Sequence, residues 1–451
     1  MRRLSLRLLP TTLLLGVGCA LCLMAQDNGD QDDQGEFSGP AILSRGDIPT
    51  TNANTPLAFR PYVGLSGIYD DGLLPVSVNS SGQVPVTDAF GLELNLGLYG
   101  YHAWKHTTLS LDYRGDFRDY SQATNYDGSD QFLSLILTNE PNRRTKFTVR
   151  SQGGTYSVNS FLSSIDYLSS NYLQTPQNDI FDNRVVFLST SGDMTYQQTA
   201  RLSFDIGGEG DLVRRQSSAL YGVTQAIGRG DVQYRITKYV TIGADYRYMD
   251  YDFTRGFGYT HVNSAGFNFS VQFTRSLALS ARIGGARYEG LSLEQVAIAP
   301  AIAAILGITE GVQAAYRQGY VPDTSVRLTN TWRHATLSAN YAATISPGNG
   351  VYLTSRQQYG SASYSYTGVR NWNFGVDTSY NRLGTLTQTL GTFSSYGAGG
   401  GATRSLGRGL YAVTRFDARR YNIANSYYLH PEYRVSVGMN WAPGELPLSI
   451  W

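Results

Sequence analysis

From residue 58 to residue 441 the chain keeps to one rule. Apolar and polar residues alternate for about ten positions, a break follows, and the alternation resumes. A period of two marks a β-strand, because successive side chains point to opposite faces. "TLSLDYRGDF" sets Leu109, Leu111, Tyr113, Gly115 and Phe117 against Ser110, Asp112, Arg114 and Asp116. "LELNLGL" sets Leu92, Leu94, Leu96 and Leu98 against Glu93 and Asn95, and "RLSFDIGGE" sets Leu202, Phe204 and Ile206 against Arg201, Asp205 and Glu209. Ile242, Ala244, Tyr246 and Tyr248 oppose Asp245 and Arg247, while Trp372, Phe374 and Val376 oppose Asn373 and Asp377. Near the end, "EYRVSVGMNW" sets Tyr433, Val435, Val437, Met439 and Trp441 against Glu432 and Arg434.

The pattern predicts about eighteen strands, with sixteen as the nearest alternative. The breaks alternate in length. Short ones fall at 105–107, 139–144, 237–238, 274–276, 333–335, 367–371 and 405–409; long ones include 70–88, 155–184 and 289–323. An even strand count puts both chain ends on the short-turn side. Trp104, Trp332, Trp372 and Trp441 each border that side. Trp gathers where one end of its ring system meets hydrocarbon and the other meets water, so these four are the candidate girdle at a membrane interface.

A soluble sandwich or propeller also alternates, but with short strands packed in layers. Strands of about ten residues are the length that crosses a tilted hydrocarbon layer. The longest apolar run after the first 25 residues, 296–308, contains Pro300 and falls short of a spanning helix. In lipid every backbone N–H and C=O must pair within the protein, so a spanning sheet has to close. The reading is therefore all-β: a closed antiparallel transmembrane β-barrel over residues 57–441, apolar outside and polar inside. With short turns on one side and long loops on the other, the layout resembles the outer-membrane porin-like β-barrels of Gram-negative bacteria. That resemblance implies periplasmic turns, extracellular loops and outer-membrane lipids as surroundings. The last strand is similar to the signal that barrel-assembly machinery reads, apolar at alternate positions and closing on an aromatic. It departs from that signal in being followed by a tail, 442–451, with Pro443 and Pro447, which argue against strand there.

Ahead of the alternating region, residues 1–25 read as a secretory signal peptide: Arg2, Arg3 and Arg7, then an apolar stretch ending at Ala25. Both cysteines, Cys19 and Cys22, lie inside it. Residues 26–56 are acidic, polar and aperiodic, and read as a flexible periplasmic leader. Formal charge is +1, from 36 basic and 35 acidic residues, which gives no reason to expect a nucleic-acid partner. Nearly all the positive charge is arginine; Lys105, Lys146 and Lys238 are the lysines.

The polar face supplies the candidate pore lining: Glu93, Asp112, Arg114, Asp116, Arg201, Asp205, Glu209, Asp245, Arg247, Asp377, Arg415, Asp417, Arg419, Glu432 and Arg434. Both signs at close spacing either set up a transverse field that selects solutes or form a network that stiffens the wall. Residues 291–320, where Pro300 suits the first turn of a short helix, are read as an insertion that plugs or constricts the barrel, a helix that caps it outside, or a loop that contacts a partner. No cofactor, metal or catalytic site is expected. Among the histidines, His261 has Asn at 263, and Ser264 points to the other face. The expected function is passive passage of small hydrophilic solutes through an Arg-rich lumen. The alternatives are the exit barrel of an export system, on a resemblance to arginine-lined barrels that pass acidic polysaccharide, and a structural or adhesive barrel with a closed lumen.

Overall fold

A computed structural model of the chain describes residues 55–73, 87–121, 126–156, 184–218, 220–297, 310–386, 391–423, 431–443 and 446–447. The signal peptide and nearly all of the leader lie outside the described residues. The alternating segments form β1 (Thr55–Leu73), β2 (Thr87–Ala103), β3 (Thr107–Tyr120), β4 (Gly128–Asn142), β5 (Thr145–Tyr156) and β6 (Val185–Gln197). Then follow β7 (Leu202–Arg215), β8 (Gly222–Thr237), β9 (Val240–Thr254), β10 (Gly258–Gln272), β11 (Leu277–Ala297) and β12 (Glu310–Thr331). The last are β13 (Ala335–Ser346), β14 (Ser355–Tyr366), β15 (Trp372–Thr385), β16 (Thr392–Gly407), β17 (Leu410–Ile423) and β18 (Pro431–Trp441). Each strand pairs antiparallel with the next, and β1 pairs with β18 from Val63↔Trp441 to Asp71↔Tyr433. The ring is closed, with eighteen strands. In the tail, a two-residue strand, β19 (Leu446–Pro447), adds a rung to Ala58 and Phe59 of β1 at the turn side. Pro447 fits there because a two-residue edge asks little of its missing N–H.

The alternation sorts the faces. Phe90, Ile206, Phe267, Ile283, Val376 and Val437 are 60–74% exposed on the outside, while the residues between them turn inward. A belt of exposed large apolar side chains around a closed ladder is far beyond the patch a soluble monomer carries. This is a membrane-spanning barrel of the outer-membrane type. Its turn side has tight connections such as 407–409, where Gly407, Arg408 and Gly409 all take left-handed φ.

The region 289–323 holds less loop than expected. β11 and β12 stay paired from Leu277↔Asn330 up to Ala297↔Glu310, so most of 291–320 is strand; residues 298–309 lie outside the described residues. Alternation persists on β12, with Val312, Tyr316 and Tyr320 on the outer face. Cross-strand pairing overrides the local preference of the alanines. Pairing with β13 nevertheless stops at Thr324↔Ala343, so Glu310–Asp323 has no β13 neighbour among the described residues. Above that level β13 turns into the barrel.

Candidate functional site

Residues 347–354, which join β13 to β14, enter the lumen. Their sequence explains the compact tip. Gly348 and Gly350 take φ of 76° and 89°, and a Cβ on Gly348 would stand 1.5 Å from the carbonyl oxygen of Tyr352. Between them, Asn349 Oδ1 accepts the N–H groups of Val351 at 3.2 Å and Tyr352 at 3.0 Å. The tip is tied to one wall: Tyr221 N–H donates to Gly350 O at 3.1 Å, and Thr260 and Thr354 share a hydroxyl hydrogen bond of 2.6 Å. Ile345 and Leu353 join Tyr156, Phe187, Val213 and Tyr251 in an apolar cluster inside the barrel. On the other side, Tyr352 packs with Leu383, Phe393 and Tyr421. The β8 and β17 walls stand nine strands apart in the eighteen-strand ring, so this segment spans the outer mouth between opposite walls. Sequence reading offered 291–320, as a plug or a cap, and did not single out 347–354. The available signal was an apolar Val-Tyr-Leu triplet directly after Gly-Asn-Gly, which needs a core to bury against.

Below the mouth the walls carry the charges. At the β18–β1 seam, Arg434 grips Asp70 with two bonds, Nε to Oδ1 at 2.6 Å and Nη2 to Oδ2 at 3.0 Å. Tyr120 Oη donates to Asp70 Oδ2 at 2.6 Å and accepts from Arg434 Nη2 at 2.8 Å. Arg118 pairs with Asp130 at 2.8 Å, and Arg114 with Asp112 at 2.6 Å. The Asn95 amide bridges Glu93 at 2.9 Å and Asp116 at 2.8 Å. Glu432 is buried here, with no hydrogen-bond partner for its carboxylate oxygens among the described residues. Across the barrel, Arg282 links Asp245 at 2.8 Å and Asp323 at 2.7 Å, with Arg247 3.3 Å from Asp245. On β15 and β17, Arg415 is 2.9 Å from Asp377 and 2.6 Å from Asp417. On β6 and β8, Arg229 Nε donates to Asp193 at 3.0 Å.

These clusters differ in access to water. The side chains of Arg118 and Asp130 are each 1% exposed, whereas those of Arg229 and Asp193 are each 32% exposed. The seam is a sealed, charge-assisted network, and the Arg229–Asp193 pair reaches water. Glycines make room for the ion pairs to lie flat: a Cβ on Gly399 would stand 2.4 Å from Asp417 Oδ1, and one on Gly207 would stand 2.0 Å from Asp193 Oδ1.

Fourteen of the candidate lining residues thus sit on the inner face of strands, as register and burial place them. Arg201 does not. It lies in the turn between β6 and β7, exposed, because the strand begins one residue later at Leu202. Trp104 and Trp332 stand in turns, Trp372 opens β15 and Trp441 closes β18, all at the turn side. His261 is on the outer face, with Nδ1 2.7 Å from Asp250 Oδ1. Ser264 is inside, donating to Asp323.

No protein-family model matches the chain, and no curated protein matches its sequence. Among solved structures it is similar to OccK2 (OpdF) of Pseudomonas aeruginosa, at 12% identity and a TM-score of 0.41 over 85% of this chain and 98% of that one. It is also similar to OccAB3 of Acinetobacter baumannii, at 11% identity and a TM-score of 0.40 over 85% of this chain and 99% of that one. Pseudomonas aeruginosa OccK5 (OpdH) matches at 11% identity and a TM-score of 0.40 over 87% and 98% of the two chains. A likeness of this size does not distinguish one large barrel from another.

Proposed function

We propose that the chain is an outer-membrane channel for passive diffusion of small hydrophilic solutes, with residues 347–354 setting its bore. The observation that carries this reading is a loop seated across the outer mouth of a barrel whose exterior is apolar and whose interior is charged. A barrel of this width cannot fill its own interior with wall side chains, so an inward loop decides what passes. Trp104, Trp332, Trp372 and Trp441 would mark the periplasmic interface. Passage of an acidic polysaccharide is the weaker reading, since Arg114, Arg118, Arg282, Arg415 and Arg434 all engage carboxylates of their own.

Single-channel recording in planar bilayers tests the proposal. The wild-type barrel is expected to conduct in discrete steps, and replacing residues 347–354 by a short glycine-containing turn is expected to raise the step size several-fold. Absence of conductance in both proteins would instead mark a structural barrel. An unchanged step size would remove the loop from the role of constriction.

A further inference from the structure

The last six strands of the barrel are cut from a basic stretch of chain. Between Ala335 and Pro431 the sequence carries eight arginines against two acidic residues, Asp377 and Asp417. Both carboxylates turn inward, where Arg415 holds them. The lipid-facing side of β13–β18 therefore has no acidic residue among the described residues, and the connections 386–391 and 424–430 contain none in sequence. Leu383 and Tyr421 pack inside the barrel, so their neighbours Arg382 of β15 and Arg420 of β17 turn outward, and both are exposed. Neither arginine has a hydrogen bond or an ion pair among the described residues.

Height along the strand places these two side chains. Arg382 lies ten residues beyond Trp372, and Arg420 ten beyond Leu410, the turn-side ends of their strands. At about 3.4 Å per residue and a tilt of about 40°, ten residues climb about 26 Å, the height of an outward apolar band of about 25 Å. Below Arg382 the outer row reads Tyr380, Thr378, Val376 and Phe374; below Arg420 it reads Ala418, Phe416 and Thr414. Both arginines thus stand where the hydrocarbon ends, on the side away from the turns. β16 runs between them. Register sets Ser394 directly opposite Arg382, Tyr396 opposite Arg420 and Tyr380 opposite Tyr396, the two rings 5.2 Å apart. Two strands and two residues separate the arginines, about 12 Å between backbones, a gap that one headgroup fills. The first outward acid past β18 is Asp71 of β1, opposite Tyr433, on the far side of Arg420 from Arg382. A guanidinium with no carboxylate of its own keeps its planar fork of donors for an anion, and phosphate suits that fork. Tyrosine beneath it turns a ring to the acyl region and a hydroxyl to the headgroups.

We infer that this patch holds an anionic lipid by its phosphate, with Arg382 and Arg420 gripping the headgroup and Tyr380 and Tyr396 packing beneath it. The inference needs the barrel to sit in a membrane and does not depend on whether it conducts. The test is native mass spectrometry of the purified protein with phosphatidylglycerol and phosphatidylcholine of identical acyl chains. The wild type is expected to retain phosphatidylglycerol several-fold over phosphatidylcholine. Arg382→Gln/Arg420→Gln is expected to abolish that preference, with the same strand content by circular dichroism. Each single Gln variant is expected to lose part of it, which keeps the test decisive if the double variant does not fold. A wild type without preference overturns the inference. A preference unchanged in the folded double variant, or in both single variants, overturns the assignment to this patch. A wild-type dimer that the Gln variants split, with no lipid preference, would make the patch an interface between copies and likewise overturn the inference.

Discussion

Val437 shows how much one side chain is governed by its face. It is exposed in the middle of β18, on the row Tyr433, Val435, Met439 and Trp441, while its neighbours Ser436 and Gly438 turn inward. Which face each residue takes was legible from alternation alone, because in a strand the face follows from position in the chain. Val437→Arg is expected to destabilise the folded barrel by roughly 2–4 kcal/mol, the cost of a guanidinium near the bilayer midplane. Val437→Leu should be close to neutral. Urea unfolding in lipid vesicles would measure both. What alternation does not say is which charge meets which. Asp112 and Arg114 are two apart and could be paired from the sequence, whereas the partnership of Arg415 with Asp377 needs β15 and β17 brought to either side of β16. Gly399 lies between those two and leaves the space their ion pair occupies.

Among the elements, the strands were readable and the loops were not. β11 and β12 carry the same period of two beyond the height of their neighbours, so the strands run further into 291–320 than expected, while Pro300, where the helix was expected to begin, lies outside the described residues. The segment that does enter the barrel has no period to betray it. Residues 347–354 are placed by Gly348, Asn349 and Gly350, whose left-handed and capped geometry points the following Val-Tyr-Leu at the walls. Gly348→Ala would force a Cβ onto the Tyr352 carbonyl at a φ that L-residues avoid. It is expected to unseat the loop while leaving the ladder intact. The measurable signature is a larger and noisier conductance, with the same strand content by circular dichroism.

The whole molecule depends on joining its first strand to its last. Asp70 and Arg434 are 364 residues apart, and they meet only because β1 and β18 pair. Their side chains are 0% and 5% exposed, so removing either leaves a buried charge without its counterpart. Arg434→Ala is expected to cost about 3–5 kcal/mol, as broken buried ion pairs do. Urea unfolding should record the loss, and Asp70→Asn/Arg434→Met should recover part of it by removing both charges. Sequence alone determined that the chain is a barrel of about eighteen strands, which residues face lipid, and where the turns fall. These follow from a local period and from the requirement that backbone groups in lipid be paired. The tertiary structure decided which loop enters the lumen, which clusters are sealed or open, and how the carboxylates divide between arginine and amide partners. Those depend on contacts between strands distant in the chain, and no periodicity along one strand encodes them.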